Sequence, residues 1–348
     1  MTVRSLSARL RPRLGSELIR GLAVVAVGMV LIGVIMLILG INPIRAYGSI
    51  VRGAFGSQVN LSDTIAKTVP IALIGLGVAL TFRCGLWNIG GEGQLYFGAA
   101  AALIVGVELD GPAYIVLPAV TLAGIAAGAL AGLIPAILRT RFHASEILVT
   151  LMLNFIAILL ASYLIAGPYH DPVVPATVPV GDGAELPSWY LGGLRIHAGI
   201  IWLLFFTAGM AFLMARTTYG YRIRMIGTSE DAALNAGIAV AKVRVTSFLI
   251  AGSLAGLAGM IQLAAVSRSL VDGFSPGFGY SAIIAALLGR LQMVPTLVAS
   301  FALSALLVGA QAMQRSEGIQ MSLVNVIQGL LLLLLLGAGV VGKGLIRR

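Results

Sequence analysis

Long apolar runs joined by short polar stretches make up most of this 348-residue sequence. A helix needs about 20 mainly apolar residues to cross a bilayer. Ten runs approach or reach that length, at about residues 21–41, 64–82, 94–107, 112–138, 147–166, 198–215, 245–266, 278–289, 294–312 and 321–341. Only 10% of the residues are charged, whereas soluble domains contain about 25%. We therefore predict an all-α fold, a polytopic membrane helical bundle in which residues 1–348 form a single integral membrane domain.

The basic residues predict the orientation of this bundle. With the N-terminus in the cytoplasm, 17 of the 23 Lys and Arg residues fall on the cytoplasmic side, as the positive-inside rule requires. The net charge of +10 is then explained by orientation and not by binding of nucleic acid. Ten crossings place both termini inside, with residues 1–20 as a cytoplasmic N-terminal segment. The run Gly21–Gly40 is too long for a signal-peptide core, so we expect it to remain as the first span.

Glycines and polar residues interrupt the apolar pattern twice. The first break stretch is Arg83–Gly98 (RCGLWNIGGEGQLYFG), and the second is Asp272–Arg290 (DGFSPGFGYSAIIAALLGR); a short apolar run lies within or directly after each. Irregular backbone at membrane depth is tolerated only where it is buried in protein or lines a watery cavity. Paired interruptions in corresponding halves indicate a transport path. We predict an inverted repeat of two five-helix halves, with the third and eighth segments short or broken.

Two loops are long enough to carry structure of their own. Residues 167–197 contain several prolines and are expected to form an irregular extracytoplasmic cap. Residues 216–244 are expected to be cytoplasmic and to contain a short helix, with Ser229 as its N-cap, acidic residues in its first turn and Gly237 at its end. A small-residue face that can approach another protein closely would consist of Ala232, Ala233 and Ala236.

Polar residues within the apolar segments are few, and each has two interpretations. Glu146, Thr150 and Asn154 recur every four residues and share one helix face. Asn154, like Asn325 and Gln328, either joins helices by hydrogen bonds or lines a pathway. Glu146 is expected at the cytoplasmic surface beside Arg139, Arg141 and His143. Glu92 either braces the broken backbone or contacts a transported solute.

As a hypothesis, the residues of the substrate pathway are Asn88, Glu92, Gln94, Asn154, Phe278 and Tyr280. The two aromatic side chains suit stacking on a base or a sugar face, although an aromatic residue beside a glycine break also suits packing.

The sequence predicts no catalytic residues, no metal site and no cofactor. The histidines His143, His170 and His197 fall on loops of opposite sides, and the single Cys84 excludes an internal disulfide. Residues 337–344 nearly match the phosphate-binding pattern G-x-x-x-x-G-K-[ST]. They end in glycine and follow a membrane segment, so we expect this chain not to hydrolyse ATP.

The first break stretch resembles a family signature. Gly85–Gln94 (GLWNIGGEGQ) is similar to the G-L-F-N-I-G-x-E-G-Q signature of permease subunits of bacterial ABC importers, in the subgroup that handles nucleosides and simple sugars such as ribose. Ser145–Phe155 and Gly277–Gly289 resemble two further signatures of that subgroup. Gly220–Ile238 is similar to the segment by which such permeases dock onto their ATPase.

The resemblance implies a function and a set of partners. A permease of this kind pairs with the same or a sister permease in the bacterial cytoplasmic (inner) membrane, contacts membrane lipid, rests on cytoplasmic ABC ATPase subunits and receives solute from an extracytoplasmic substrate-binding lipoprotein. The residues expected to contact the ATPase are Gly220, Gly227, Ser229, Glu230, Ala232, Ala233 and Gly237. The alternatives are an ion-coupled secondary transporter acting without an ATPase, which usually needs carboxylates in mid-helix, and a membrane-embedded enzyme.

Overall fold

The structure is a computed structural model, and it describes residues 42–317 together with the isolated positions 30, 33, 34, 36, 37 and 326. Several sequence predictions fall outside these residues. They are the N-terminal segment 1–20, most of the first and last predicted spans, Asn325, Gln328 and the glycine-rich motif at 337–344.

Eleven α-helices occur in the described part of the chain. They are α1 (Pro43–Phe55), α2 (Gln58–Arg83), α3 (Gly91–Glu108), α4 (Ala113–Phe142), α5 (Glu146–Ala166), α6 (Gly199–Arg216), α7 (Thr218–Thr228), α8 (Glu230–Asn235), α9 (Val240–Gln262), α10 (Phe278–Leu288) and α11 (Met293–Glu317). A π-helical turn, Leu263–Ser267, continues α9. The helical prediction is therefore confirmed for this part of the chain.

Among the described residues, six helices are long and apolar enough to cross a membrane: α2, α4, α5, α6, α9 with its π-helical turn, and α11. Each coincides with a predicted segment. The predicted third and eighth segments correspond to α3 and to the short α10, which follow the two glycine-rich breaks. The count of ten crossings, the inverted repeat and the inside location of both termini stay predictions.

The chain divides into two compact units, which are residues 55–306 on one hand and residues 1–54 with 307–348 on the other. In the first of these, α9 packs closely on α3 and α4 through glycines. A side chain at Gly98 or Gly128 would collide with the backbone of Gly256 or Gly252, so only glycine permits this approach. In the second unit, Gly53 of α1 packs in the same way against Gly309 and Ala312.

The loop 167–197 is more regular than the sequence predicted. It contains a 3₁₀ turn at Asp182–Ala184 and an antiparallel hairpin of β1 (Ser188–Leu191) and β2 (Leu194–His197). Gly192 and Gly193 form the hairpin turn with φ values of +56° and +85°, which suit a two-residue turn with positive φ at both positions. The expectation of an irregular loop was therefore wrong for residues 188–197, where this Gly-Gly turn closes two short strands. The extracytoplasmic location of the loop stays a prediction.

Helix α2 connects two ends of the bundle. At its start, the Gln58 side-chain amide donates to the carbonyl of Gly192 in the hairpin (3.0 Å). At its other end, the Arg83 carbonyl lies against Gly227 in the loop 216–244. The 26 residues of α2 separate these contacts by about 39 Å at about 1.5 Å per residue. We call these the hairpin end and the coupling end.

Candidate functional site

The two break stretches meet inside the bundle. Glu92 lies in the first turn of α3, and its carboxylate accepts a hydrogen bond of 2.6 Å from the backbone N–H of Gly279 in the first turn of α10. Glu92 is only 2% exposed, and a side chain at Gly279 would lie 2.7 Å from the Glu92 Cα. An acidic group is favourable at a helix N-terminus, where the backbone N–H groups are unpaired. We call this meeting point of α3 and α10 the junction.

Helices α3 and α10 leave the junction in opposite directions. The carbonyl of Gly106, near the end of α3, accepts a hydrogen bond from the backbone N–H of Gly181 in the loop 167–197 (3.0 Å), at the hairpin end. After α10, the chain reaches Gln292 and Met293, which share a cavity with Arg83 at the coupling end. Two short helices thus meet at their N-termini near the middle of the bundle, with Glu92 between them.

Asn88 and Gln94 hold the first break stretch in shape. The Asn88 side-chain oxygen accepts from the Gly90 N–H (3.0 Å), which closes a tight local turn. The side-chain amides of Asn88 and Gln94 bond to each other at 3.3 Å. Both residues are almost fully buried, so their polar groups serve the folded backbone of the break.

Asn154 of α5 joins this break from another helix. Its side-chain oxygen accepts from the Gly93 N–H (2.8 Å), and its side-chain nitrogen donates to the carbonyl of Ile89 (3.0 Å). Thr150 and Glu146 are buried on the same face of α5, which confirms the shared face predicted from the spacing. Glu146 pairs with Arg139 (3.2 Å), which confirms the predicted neighbour of that carboxylate.

Five of the six residues proposed for a pathway are buried at the junction. Asn88, Glu92, Gln94, Asn154 and Phe278 are each at most 3% exposed. Tyr280, two residues into α10, is 43% exposed. The structure therefore brings the polar side chains together, where they form hydrogen bonds to protein groups. Contact between these side chains and a solute stays a prediction.

The loop 216–244, which we call the coupling segment, folds into two short helices. Ser229 separates α7 from α8 and accepts from the Ala232 N–H (3.3 Å), so the predicted N-cap is confirmed. Gly237 follows α8 with φ +73°, where glycine is favoured. Helix α7 was not predicted, because its sequence is much more polar than the membrane spans and has no acidic first turn.

The outer surface of the coupling segment is narrower than the predicted small-residue face. Ala233 is 0% exposed, because it packs inward. Glu230 is held by a two-pronged ion pair with Arg244, at 2.9 and 2.6 Å. The residues that are open to a partner include Ala232, Leu234, Ala236 and Gly237.

The coupling segment is attached to α2 and to α9. A side chain at Gly227 would collide with the Arg83 carbonyl, so α7 lies directly on the end of α2. The Tyr219 hydroxyl bonds to the hydroxyls of Thr246 (2.6 Å) and Ser247 (3.2 Å) in α9, and burial raises its pKa above the ordinary value. Helix α2 leads into the first break stretch, and α9 leads through the π-helical turn into the second.

Comparison with known protein families identifies the class of protein. Residues 60–336 match the family described as "Branched-chain amino acid transport system / permease component". This chain belongs to that permease family. The match covers both break stretches and the coupling segment, so the junction is part of a transport subunit. The permease is accordingly a multi-pass membrane protein and not an enzyme.

Curated relatives of the permease span nearly its whole length. It is 36% identical over 323 residues to the guanosine ABC transporter permease protein NupP of Bacillus subtilis, covering 91% of this chain and 92% of the relative. It is 34% identical over 335 residues to the glucose ABC transporter permease protein TsgB13 of Haloferax volcanii (92% and 87% covered). It is 29% identical over 317 residues to the nucleoside ABC transporter permease protein NupB of Lactococcus lactis (88% and 87% covered). The predicted resemblance to ABC importer permeases is confirmed.

Two residues of the junction were not identified from the sequence. Tyr96 lies in the first break stretch, and its hydroxyl accepts from the Ser275 N–H (3.1 Å). Ser275 in turn accepts from the Phe278 N–H (3.0 Å) at the start of α10. The N-cap position of α10 is occupied by Gly277 and not by Ser275, so capping rules do not identify Ser275 from the sequence, and the contact with Tyr96 joins residues too far apart in the chain to be predicted.

The described part of the permease contains no group of three or more His, Cys, Asp or Glu side chains that could hold a metal ion. Outside the membrane-spanning helices, the pKa of His197 at the end of β2 is displaced well below its ordinary value. Burial, followed by the nearby charge of Arg195, lowers the pKa of His197 to about 4. His197 lies at the hairpin end and is remote from the coupling segment.

Proposed function

We propose that this chain is the membrane-spanning subunit of an ABC importer that carries a nucleoside or a simple sugar into a bacterial cell. Relatives covering most of its length are named as permeases for guanosine, glucose and nucleosides. The buried carboxamides of Asn88, Gln94 and Asn154 suit recognition of hydroxyl-rich or base-bearing solutes, because an amide offers both donors and acceptors.

The observation that carries this proposal is the continuity between the coupling segment and the junction. The coupling segment contacts the end of α2 through Gly227, and it is hydrogen-bonded to the start of α9 through Tyr219. Those two helices lead into the two stretches that meet at Glu92 and Gly279. A displacement of the coupling segment would thus move both halves of the junction at once.

In this mechanism the closed junction is a barrier to the solute. Movement of the coupling segment by an ATPase separates α3 from α10, and the Asn88, Gln94 and Asn154 side chains exchange their present hydrogen-bond partners for the solute. ATP binding can drive import only if the solute has different affinities for the two arrangements. The contact between Glu92 and Gly279 is expected to break during opening.

The proposed partners follow from the same assignment. Two cytoplasmic ABC ATPase subunits contact the exposed face around Ala236, a second permease of the same or a sister sequence completes the bundle, and a substrate-binding lipoprotein docks at the hairpin end. The location is the bacterial inner membrane, with the coupling segment in the cytoplasm. No nucleic acid partner is proposed.

Capture of the ATPase tests the coupling face. The exposed Ala236→Arg variant should lose its co-purified ATPase, because a long charged side chain obstructs a close helix contact. Ala113→Arg, the same change at an exposed position of α4 near the hairpin end, is the matched control and should retain the ATPase. Equal capture by both variants would contradict the proposed docking face.

Uptake tests the substrate class. Cells producing the complete transporter should accumulate labelled guanosine or glucose, and an excess of the unlabelled cognate solute should compete. Accumulation of a branched-chain amino acid in the same cells, with no nucleoside or sugar uptake, would refute the proposed substrate class and leave the permease assignment intact.

A further inference from the structure

A cavity of about 400 Å³ lies at the coupling end, apart from the junction. Its wall combines the end of α2, the last turns of α6, helix α7 and the start of α11. Arg83, Arg224 and Gln292 are the polar residues of this wall. Its volume lies within the range of about 300–1,000 Å³ that is usual for small-ligand sites.

The two arginines of this cavity have unused binding capacity. Arg224 donates one hydrogen bond to the carbonyl of Met214, and a guanidinium group carries five donors. None of the ion pairs found among the described residues includes Arg83 or Arg224. Two positive charges that share a cavity repel each other, and a bound anion would relieve that repulsion. The planar guanidinium group of arginine can donate two parallel hydrogen bonds to two oxygens of one phosphate group.

The rest of the wall is apolar. Met214, Met293 and Val294 face the same cavity as the arginines. Val294 is 55% exposed, and Val298, one turn further along α11, is 64% exposed, so the apolar surface continues from the cavity along the outside of the helix. A phospholipid has a charged phosphate at one end and hydrocarbon chains at the other, so it matches both the basic and the apolar parts of this wall. Free phosphate would contact only the basic part.

We propose that this cavity binds the phosphate headgroup of an anionic phospholipid of the inner leaflet, with Arg83 and Arg224 as its ligands. The location rests on the proposed function, which places the coupling end in the cytoplasm; basic pockets between membrane helices on that side suit acidic headgroups. Arg83 ends α2 and Arg224 lies on α7, so one lipid would bridge the coupling segment to the helix that enters the first break stretch.

Lipid retention by the purified full chain tests the site without ATPase or solute. The protein is placed in nanodiscs of phosphatidylcholine with phosphatidylglycerol, and the phosphatidylglycerol that stays bound is counted by native mass spectrometry. The R83Q/R224Q variant should bind it at least about tenfold more weakly. Arg222→Gln removes an exposed charge from the same helix, outside the cavity wall, and should bind as the wild type does.

A second variant separates loss of the site from loss of the fold. Ala215→Trp fills the cavity and leaves both arginines in place, and it should also displace the lipid. The buried Cys84 should stay protected from thiol reagents in every variant. Undiminished phosphatidylglycerol in R83Q/R224Q or in Ala215→Trp would overturn the proposal.

The source of the phosphate group is tested in the same system. Inorganic phosphate is added to phosphatidylcholine nanodiscs, and its binding is followed by ³¹P NMR. Weak or absent phosphate binding, with strong phosphatidylglycerol retention, is the expected result. Binding of phosphate without retention of phosphatidylglycerol would overturn the lipid assignment in favour of a free anion. Neither result depends on ATPase capture, which tests the proposed function separately.

Discussion

The junction and the coupling segment are both built from short helices and glycine turns, but they use their polar groups in opposite ways. At the junction, the side chains of Glu92 and Asn154 are buried and bonded to backbone groups. In the coupling segment, Ser229 and Glu230 are exposed; Ser229 caps its own helix, and Glu230 pairs with Arg244 at the start of α9. The junction is therefore held closed by internal bonds, and the coupling segment keeps a free surface.

This difference predicts where substitutions act. A change at the junction removes partners from buried backbone groups, which costs free energy of folding because no water replaces them. A change on the outer face of the coupling segment leaves the fold intact and affects a partner. The four predictions that follow run from the largest expected effect on stability to the smallest.

Removal of the Glu92 carboxylate should have the largest effect. Glu92→Ala leaves the Gly279 N–H without its acceptor and should lower stability by about 3 kcal/mol, with loss of uptake. Glu92→Gln retains an acceptor oxygen and should recover at least half of that stability. The melting temperature in detergent, read from thiol labelling of the buried Cys84, measures both. If Glu92→Ala melts at the same temperature as the wild type, the Glu92 carboxylate does not stabilise the junction.

Asn154→Ala should cost about 2 kcal/mol, since it leaves both the Gly93 N–H and the Ile89 carbonyl unpaired and each lost bond costs about 1 kcal/mol. Met152→Ala is the matched control, because Met152 lies on the same helix and is 54% exposed. The same Cys84 labelling assay applies. Equal melting temperatures for the two variants would show that Asn154 does not hold the first break stretch.

Acid should weaken the hairpin end through His197. Because its pKa in the folded state is about 4, against about 6.5 when exposed, the unfolded state takes up the proton first. The stability contribution is complete above about pH 6.5 and is lost as the pH falls toward 4, with a loss of about 1 kcal/mol at about pH 5.5. In the His197→Gln variant, the melting temperature should depend less on pH between about pH 6.5 and 4. An unchanged profile in that variant would assign the acid effect to other groups.

Loss of the Ser229 cap should have the smallest effect. Ser229→Ala should cost about 0.5 kcal/mol, the low end for an exposed N-cap, and should speed hydrogen exchange at the Ala232 amide. Ser229→Asp, which supplies another good capping oxygen, should restore protection. Slow exchange in Ser229→Ala would show that packing of Ala233, and not the cap, holds α8.

The sequence predicted the parts of this fold that depend on local pattern. The apolar runs placed the long helices, a four-residue spacing placed Glu146, Thr150 and Asn154 on one buried face, and the serine before two acidic residues located the start of α8. Such features need only neighbours in the chain.

Contacts between distant residues could not be predicted in this way. Glu92 and Gly279 are 187 residues apart, and Gly93 and Asn154 are 61 apart, so neither spacing nor composition pairs them. The hairpin was missed because its four-residue strands are too short for a clear alternation, and because several prolines precede them in the loop. Ala233 was assigned to the outer face because a six-residue helix has too little periodicity to fix its buried side.

Solute uptake by purified components tests the central claim, which is that an external ATPase acting on the coupling segment opens the junction. Proteoliposomes that contain the permease alone should not accumulate nucleoside or sugar under an imposed ion gradient. Proteoliposomes with the co-purified transporter, the binding protein and ATP should accumulate it, and Ala236→Arg should abolish that uptake. Ion-driven accumulation by the permease alone would contradict the account and favour a secondary transporter.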